Sequence, residues 1–309
     1  MKMNKLSRIG LVAALSVSLV LTGCASEDPN SAPSGTSSAV AIPEHEQNDQ
    51  LRALLPQEIL DKGSLVAVNS GSFPPYEIIG QDGSHTGASA DLLAEIAKLW
   101  GIDITSETVD GLSSILTGMS ADRYQLAFGP IGDFKSRQVE NDFVDWVQEF
   151  VVFAVAHGNP KGINSIEDVC GLRISVQGGG SAEKVVNAQS DKCVAEGKAA
   201  VEVQAYKDQP QSILAVQSGR ADGFFSSRAP LTYFVEQSDG ALELAGTESA
   251  NNFDKLYQGA LVKKDAQLGA ALLATMEQLF EDGTYEAIMT KWGLEANMID
   301  APGMNLGVS

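Results

Sequence analysis

The sequence predicts an α/β protein of two lobes, each a mostly parallel sheet flanked by helices. Short apolar runs of strand length alternate with segments of helical periodicity, and this alternation occurs in two consecutive sets. The chain of 309 residues is long enough for about two domains. Its hydrophobic fraction of 44% is that of an ordinary globular protein, which excludes a fully disordered chain and a multi-pass membrane protein.

The first set begins with a buried strand at Ser64–Asn69 (SLVAVN). An amphipathic helix follows at Ser89–Trp100 and ends before a glycine, and Leu112–Met119 repeats the helical spacing. Residues 125–129 and 150–156 have the composition of further buried strands. These elements predict one sheet with helices packed on it.

The second set alternates in the same way. Its predicted elements are a capping-box helix start at Ser165–Asp168, a strand at Leu172–Gln177, helices at 182–189 and 208–218, a strand at 221–225, and helices at 267–280 and near 285–292. Gly219 and Gly283 end two of these helices. A body of about 250 residues in two such sets favours two lobes.

The charge balance excludes some partners. Forty acidic against 21 basic residues give a formal net charge of −19, so a nucleic-acid partner is not expected. The three histidines, His45, His85 and His157, are neither near a cysteine nor at ligand spacing, so we expect no metal and no cofactor. No Ser/His/Asp or Cys/His arrangement is indicated, which argues against an enzyme.

The first 24 residues predict an export signal. Three basic residues precede an apolar stretch from Ile9 to Leu21, which is shorter than a membrane-spanning helix. The run Leu-Thr-Gly-Cys24 that follows resembles the lipobox of bacterial lipoproteins, which implies a signal peptide at 1–23 and lipid on Cys24. The alternative is an ordinary signal or anchor with a chance cysteine.

Residues 24–56 are predicted to be a flexible tether. Up to about Gln50 they are rich in serine, proline and acidic residues and show no helical or strand period. About 30 such residues span roughly 30 Å. We therefore expect an extracytoplasmic body that is anchored to the cell membrane through Cys24 and stays within reach of a membrane partner.

Cys170 and Cys193 then lie outside the cytoplasm, where thiols oxidise, and we predict that they form a disulfide. The loop that this bond closes would contribute about 3 kcal/mol in the chain-entropy picture. The alternative is two separate buried thiols.

Several segments have the order and spacing of a known family. They are Gly63-Ser-Leu-Val-Ala-Val68, Phe73-Pro-Pro-Tyr-Glu77, Asp82-Gly83 with Asp91-Leu92, the stretch from Phe128 to Arg137, Gln217-Ser-Gly-Arg-Ala-Asp222, and Asp282-Gly-Thr-Tyr285 with Lys291-Trp292. From about Gly63 to Trp292 the chain thus resembles the extracellular solute-binding proteins of ABC importers, in the polar amino-acid-binding family. A subgroup of that family has cysteines in a similar context, which supports the disulfide.

The resemblance implies a type II periplasmic-binding-protein fold, in which two lobes close on a small molecule. Lobe 1 is then expected at 57–156 plus 253–309 and lobe 2 at 157–252, with crossing segments near Ala154–Gly158 and Asn252–Gln258. The resemblance also implies a monomer that delivers its solute to an ABC permease. The alternatives are a ligand-sensing or surface lipoprotein with the same two lobes, and a dehydratase-like enzyme on the same fold.

For the ligand's carboxylate, the resemblance points to Arg137, which stands where the family has its carboxylate-binding arginine. Gly180 and Ser181 open a helix after a strand, where backbone N–H groups and the helix dipole favour an anion. Without a ligand role, Arg137 would be an exposed, ion-paired arginine and the glycine run a flexible turn.

Further candidates contact the rest of the ligand. Phe73 and Tyr76 are candidates to stack on its apolar part, with core packing as the alternative for both. Gly129 and Ile131 are candidates for backbone contacts from lobe 1.

One segment departs from the family pattern. Where amino-acid binders have an aspartate for the α-ammonium group, this chain reads Phe224-Phe-Ser-Ser227-Arg228, without a carboxylate. A desolvated ammonium without a counter-charge would cost several kcal/mol. Ser227 and Arg228 are therefore candidate ligand residues. We expect a small carboxylate-bearing solute, either an ordinary polar amino acid or a compound without a free α-ammonium.

Overall fold

The structure is a computed structural model that describes residues 41–246 and 256–308. The predicted signal peptide at 1–23 and the predicted lipidation site Cys24 lie outside the described residues. Within them, no helix combines the length and the apolar character needed to cross a membrane.

The elements alternate as the sequence predicts. The strands are β1 (Ser64–Asn69), β2 (Ile78–Ile79), β3 (His85–Thr86), β4 (Asp103–Thr108), β5 (Leu126–Gly132), β6 (Asn141–Glu149), β7 (Val151–Ala156), β8 (Arg173–Gln177), β9 (Glu202–Tyr206), β10 (Gly223–Ser227), β11 (Leu242–Ala245), β12 (Leu256–Lys263) and β13 (Gly303–Met304). The helices are α1 (Asp49–Arg52), α2 (Gln57–Lys62), α3 (Ala88–Trp100), α4 (Gly111–Ser120), α5 (Ser181–Ala195), α6 (Gln209–Gln217), α7 (Arg228–Glu236), α8 (Gln267–Glu281) and α9 (Thr284–Lys291). A short 3-10 turn covers Ile166–Val169, with the predicted capping box at its start.

Two mixed sheets form the two lobes. The first has the order β13-β6-β12-β5-β1-β4 and the second β11-β7-β10-β8-β9. We call the described residues 41–149 and 256–308 lobe 1, and residues 151–246 lobe 2. The α/β class with two sheets is confirmed.

The predicted mostly parallel pairing needs correction. β1 is parallel to β4 and β5, and β8 is parallel to β9 and β10. However, β12 is antiparallel to β5 and β6, and β7 is antiparallel to β10 and β11. The sequence did not indicate this because a buried apolar run has the same composition in either direction.

The lobe boundary also differs from the prediction. β6 of the first sheet ends at Glu149, and β7 of the second sheet begins at Val151. The chain therefore crosses from lobe 1 to lobe 2 at Phe150. The expected limit of lobe 1 at residue 156 and the expected crossing at Ala154–Gly158 are therefore wrong. β6 and β7 follow each other as one almost continuous extended stretch, and periodicity alone does not show where the partner sheet changes.

The other predicted crossing, Asn252–Gln258, falls partly outside the described residues. From Leu256 onward the chain belongs to β12 of the first sheet.

The end of the predicted tether packs on lobe 1. His45 Nδ1 lies 3.0 Å from Glu95 Oε2, and His45 Nε2 lies 2.9 Å from Asp282 Oδ2. Leu51 and Leu55 belong to the core of lobe 1. A flexible tether up to residue 56 is therefore wrong for residues 45–56, where a few side chains fix a segment of otherwise polar composition.

The sheets converge on one region between the lobes. Asn69, Gly132, Gln177 and Ser227, the last residues of β1, β5, β8 and β10, all line a cleft. Crevices at the carboxyl ends of strands are the usual ligand sites of α/β sheets. This cleft is accordingly the candidate ligand site.

Candidate functional site

The cleft is lined by both lobes. Its polar side chains from lobe 1 include Asn69, Glu77, Arg137 and Gln258, and those from lobe 2 include Gln177, Ser181, Gln209, Ser226 and Ser227. Phe73, Leu112, Ile115 and Phe128 add apolar walls. A few converging polar groups in an apolar cleft are typical of a small-molecule site.

The lobes touch across this cleft. Arg137 Nη2 donates to the carbonyl of Gly179 at 3.2 Å, and Lys207 Nζ lies 2.8 Å from Asp110 Oδ1. Gly179 has φ +74°, and a Cβ on it would lie 2.3 Å from Ser113 Oγ. Only glycine permits both this backbone conformation and this approach of the two lobes. The structure thus shows the lobes in contact, as in a closed clamp.

Arg137 is held just after the end of β5. Its Nη1 donates to the carbonyl of Gly132 at 2.7 Å, and its guanidinium carbon lies 5.2 Å from the centroid of the Phe134 ring. The residue is only 8% exposed. Burial lowers the pKa of Arg137 to about 10, an effect that the charge of Asp133 opposes. The guanidinium therefore stays charged at neutral pH.

Within the described residues, this guanidinium donates hydrogen bonds to two neutral carbonyls, those of Gly132 and Gly179. A buried cation needs compensation by an anion, and a planar guanidinium pairs best with a carboxylate. Arg137 is chemically suited to bind a carboxylate that enters the cleft.

Helix α5 adds a second anion-binding feature from lobe 2. It begins at Ser181 after the glycine turn. Its N-cap residue is Gly180, which has no side chain to cap the helix. Both residues line the cleft. Backbone N–H groups at the start of a helix and the helix dipole favour a negative charge. Because Gly179 directly precedes this start and contacts Arg137, both features face the same part of the cleft.

Glu77 is the acidic side chain of the described cleft lining. Its Oε1 lies 2.6 Å from His85 Nδ1, and Asn69 Nδ2 lies 3.3 Å from the same ring nitrogen. Burial raises the pKa of Glu77, and His85 partly opposes this shift. Elsewhere too, the described residues contain no group of three or more His, Cys, Asp or Glu that would hold a metal ion.

The cleft amides differ in how their hydrogen bonds are satisfied. Gln209 Nε2 donates to Gln177 Oε1 at 2.9 Å, and Ser226 Oγ donates to Gln209 Oε1 at 2.9 Å. Gln258, which is 5% exposed, donates from Nε2 to Ser227 Oγ at 3.4 Å. Its Oε1 is buried and has no hydrogen-bond partner among the described residues.

The structure brings most of the predicted ligand residues together. Those that line the cleft are Phe73, Gly129, Ile131, Arg137, Gly180, Ser181 and Ser227. Gly129 has φ +144°, a conformation that favours glycine on the strand that forms the cleft wall.

Two predicted residues lie elsewhere. Tyr76 is 0% exposed, and its hydroxyl donates to Glu149 Oε1 at 2.5 Å in the core of lobe 1. Arg228 lines a separate cavity together with Phe150 and Trp292. Arg228 is the first residue of α7, where the chain leaves β10, so Ser227 at the end of the strand lines the cleft and Arg228 does not. The expected ligand roles of Tyr76 and Arg228 are therefore wrong.

Sequence reasoning missed several polar residues of the lining. They are Glu77, Gln177, Gln209, Ser226 and Gln258. Glu77 had a usable signal, since it is the charged residue that closes the Phe73–Glu77 segment. The glutamines had none, because an isolated amide does not distinguish a cleft from a surface.

The two remaining cysteines are joined in the structure. Cys170 follows the 3-10 turn and Cys193 lies on α5, with their Cα atoms 5.6 Å apart. The bond ties α5, near its C-terminal end, to the segment between the 3-10 turn and β8. Lobe 2 is thus cross-linked through the helix whose first residues line the cleft.

Comparison with known proteins gives a consistent result. The sequence profile of the bacterial extracellular solute-binding proteins, family 3, matches residues 65–295. The arginine-binding protein ArgT of Corynebacterium glutamicum is 27% identical over 305 residues, which are 98% of this chain and 97% of the relative. The L-cystine-binding protein TcyJ of Escherichia coli is 23% identical over 239 residues, 76% of this chain and 84% of the relative.

Among solved structures, a mutant of ArgBP from T. maritima superposes with a TM-score of 0.69. The superposition covers 77% of this chain and 99% of the other at 21% identity. This likeness concerns the fold.

Proposed function

The chain belongs to the bacterial extracellular solute-binding proteins, family 3, and on that premise we propose that it captures an amino acid through its carboxylate and delivers it to an ABC permease. The predicted type II periplasmic-binding-protein fold is confirmed by the structural neighbours. Membership of this family assigns the chain to the extracytoplasmic proteins of amino-acid import.

One observation carries the carboxylate proposal. Arg137 of lobe 1 is buried, charged at neutral pH and bonded to two neutral carbonyls, and one of these, that of Gly179, stands just before the start of α5 in lobe 2. A carboxylate between them would complete the bonding of a guanidinium and of helical N–H groups at once. Since the two partners belong to different lobes, such a ligand stabilises the closed form over the open one.

The cleft lining also favours one kind of ligand side chain. Glu77 supplies a buried carboxylate to the lining, and Phe73 and Phe128 supply aromatic walls. These groups suit a long side chain with a cationic end. A curated relative along nearly the whole chain is named an arginine-binding protein. L-Arginine is therefore the first amino acid to test.

The proposal includes how the protein is held and processed. Cleavage after residue 23 and lipid on Cys24 would anchor a monomer to the outer face of the cell membrane, and Cys170 and Cys193 would be oxidised there. The alternatives of a sensory lipoprotein and of a dehydratase-like enzyme remain second, because no observation on the described residues favours either one.

Calorimetry on the purified full-length protein tests the proposal. The panel contains L-arginine, L-lysine, L-histidine, L-glutamine, L-cystine and small organic acids. We expect an amino acid to bind, and at thousandfold excess over Kd to raise the unfolding free energy by about 4 kcal/mol. Arg137→Ala should weaken binding at least about hundredfold, since it leaves the carboxylate without its cation.

Arg220→Ala is the matched control, because Arg220 is exposed and is not part of the cleft lining. Its affinity should equal that of the unchanged protein. A panel without any bound amino acid, or an Arg137→Ala variant of full affinity, would disprove the proposed function.

A further inference from the structure

We propose that Gln258 recognises the α-ammonium group of the ligand, with the neutral amide oxygen as acceptor in place of a carboxylate. This inference rests on the proposed function, because it assumes an amino acid whose carboxylate binds Arg137. It adds a specificity-determining residue and predicts which analogues the cleft tolerates.

Gln258 lies close to the residue that holds Arg137. On the paired strands β5 and β12, Gln258 lies opposite Gly132, whose carbonyl accepts the 2.7 Å hydrogen bond from Arg137 Nη1. Gln258 is thus one strand away from the guanidinium. In an amino acid the ammonium is attached to the carbon next to the carboxylate, so its acceptor has to be a neighbour of the carboxylate's partner.

The local backbone supports this orientation. The register of β12 with β6 shifts between Gln258 and Gly259. Bulges of this kind change the direction of a side chain and are frequent beside functional sites. The shift occurs where the Gln258 side chain enters the cleft lining.

The amide oxygen of Gln258 is an unused hydrogen-bond acceptor. Gln258 is 5% exposed, and its Oε1 is buried without a hydrogen-bond partner among the described residues. Native structures rarely bury an acceptor without a donor, and an unsatisfied one points to a missing partner. An ammonium group in the cleft would be that donor.

Gln258 differs from the other two glutamines of the cleft. Gln177 Oε1 accepts from Gln209, and Gln209 Oε1 accepts from Ser226, so both acceptors are occupied. Ser227, beside Gln258, offers a hydroxyl and no charge. The ammonium would therefore meet neutral oxygens, and a neutral acceptor discriminates less than a carboxylate does. We expect the protein to prefer an amino acid over its desamino analogue by only about tenfold.

The experiment compares two probes on the full-length protein by calorimetry. The probes are L-arginine and 5-guanidinopentanoate, in which hydrogen replaces the ammonium; if another amino acid of the panel binds better, that amino acid and its desamino analogue are used. Gln258→Leu should abolish the preference for the amino acid, while affinity for the analogue stays within about threefold. Gln258→Glu should raise the preference by at least about tenfold, because an ion pair replaces a neutral hydrogen bond.

Gln204→Leu serves as control, since Gln204 lies on β9 and is not in the cleft lining. Thermal unfolding of each variant shows that it is folded, and two variants with opposite expected effects guard against a simple loss of structure. If both Gln258 variants keep the original preference, or if the unchanged protein binds both probes equally, the inference is wrong and the proposed function stands. If no amino acid binds, both fall.

Discussion

The two lobes differ in what they bury. In lobe 1 the buried charged residues are Glu77, Glu95, Asp133, Arg137, Asp142, Asp145 and Glu149. In the described part of lobe 2, the buried polar residues are all neutral: Ser175, Gln189, Gln209, Ser212, Ser226, Ser227 and Ser238. Under the proposed function, lobe 1 would supply the charged side chains of the cleft, Glu77 and Arg137, and lobe 2 would add neutral groups.

The difference has a physical basis in the cores. Lobe 1 has a large buried cluster that includes Trp100, Trp146 and the apolar faces of α3 and α8, and a smaller one that includes Leu112 and Phe143. Lobe 2 has two smaller clusters and a disulfide. Buried charges are costly to desolvate, and the larger apolar core of lobe 1 offsets this cost. A small core that carries none is instead stabilised by a cross-link.

The largest expected effect concerns that cross-link. Replacing both Cys170 and Cys193 by alanine should lower the unfolding free energy of lobe 2 by about 3 kcal/mol. The three tryptophans of the chain, Trp100, Trp146 and Trp292, all lie in lobe 1, so their fluorescence reports that lobe. In denaturant, an early transition should appear by far-UV circular dichroism while the tryptophan transition stays in place. Equal shifts of both signals would show that the lobes unfold as one unit.

The next effect is a pH dependence confined to lobe 1. Burial and the neighbouring Asp133 raise the pKa of Asp145 to about 8. Because the folded pKa is raised, the stabilisation is complete in acid, below the ordinary carboxyl pKa, and is lost as the pH rises through about 8. We expect the unfolding free energy of lobe 1 to fall by at least about 2 kcal/mol between pH 5 and pH 8.5.

Asp145→Asn keeps a neutral side chain at this position and should remove much of that fall. Part of it should remain, because burial also raises the pKa of Glu149 to about 7, a shift of the same sign. Tryptophan-detected unfolding at several pH values measures both slopes. If the unfolding free energy of Asp145→Asn has the same pH dependence as that of the unchanged protein, Asp145 and its neighbour Asp133 are not its origin.

A third, smaller effect tests whether Glu77 recognises the charged side chain of the ligand or only stabilises the cleft. Glu77→Gln should weaken L-arginine binding about tenfold, since the cationic end of the ligand loses its counter-charge. Binding of L-glutamine, if present, should change little. Glu281→Gln is the control, because Glu281 is exposed at the end of α8. Equal losses for both ligands would mean that Glu77 stabilises the cleft rather than the ligand's side chain.

The smallest effect is expected at the cleft rim. Lys207 and Asp110 form an exposed ion pair between the lobes. Exposed pairs contribute little and are screened by salt, so Lys207→Met should change Kd by less than about twofold, and not at all in concentrated salt. A larger change that persists in salt would make this pair part of the closing mechanism.

The sequence by itself determined the α/β alternation, many of the helices and strands, and seven cleft residues including Arg137, because these depend on local periodicity or on family motifs. It did not reveal β6, whose buried Asp142 and Asp145 break the apolar pattern, or the packing of residues 45–56.

Only the tertiary structure decided which of two nearby residues faces the cleft. Phe73 and Ser227 line the cleft, whereas Tyr76 turns into the core and Arg228 to another cavity. It likewise placed Gln258 beside the anchor of Arg137, although the two residues are far apart in the chain. Such choices depend on strand register and on contacts between distant segments, which a local pattern of residue types does not contain.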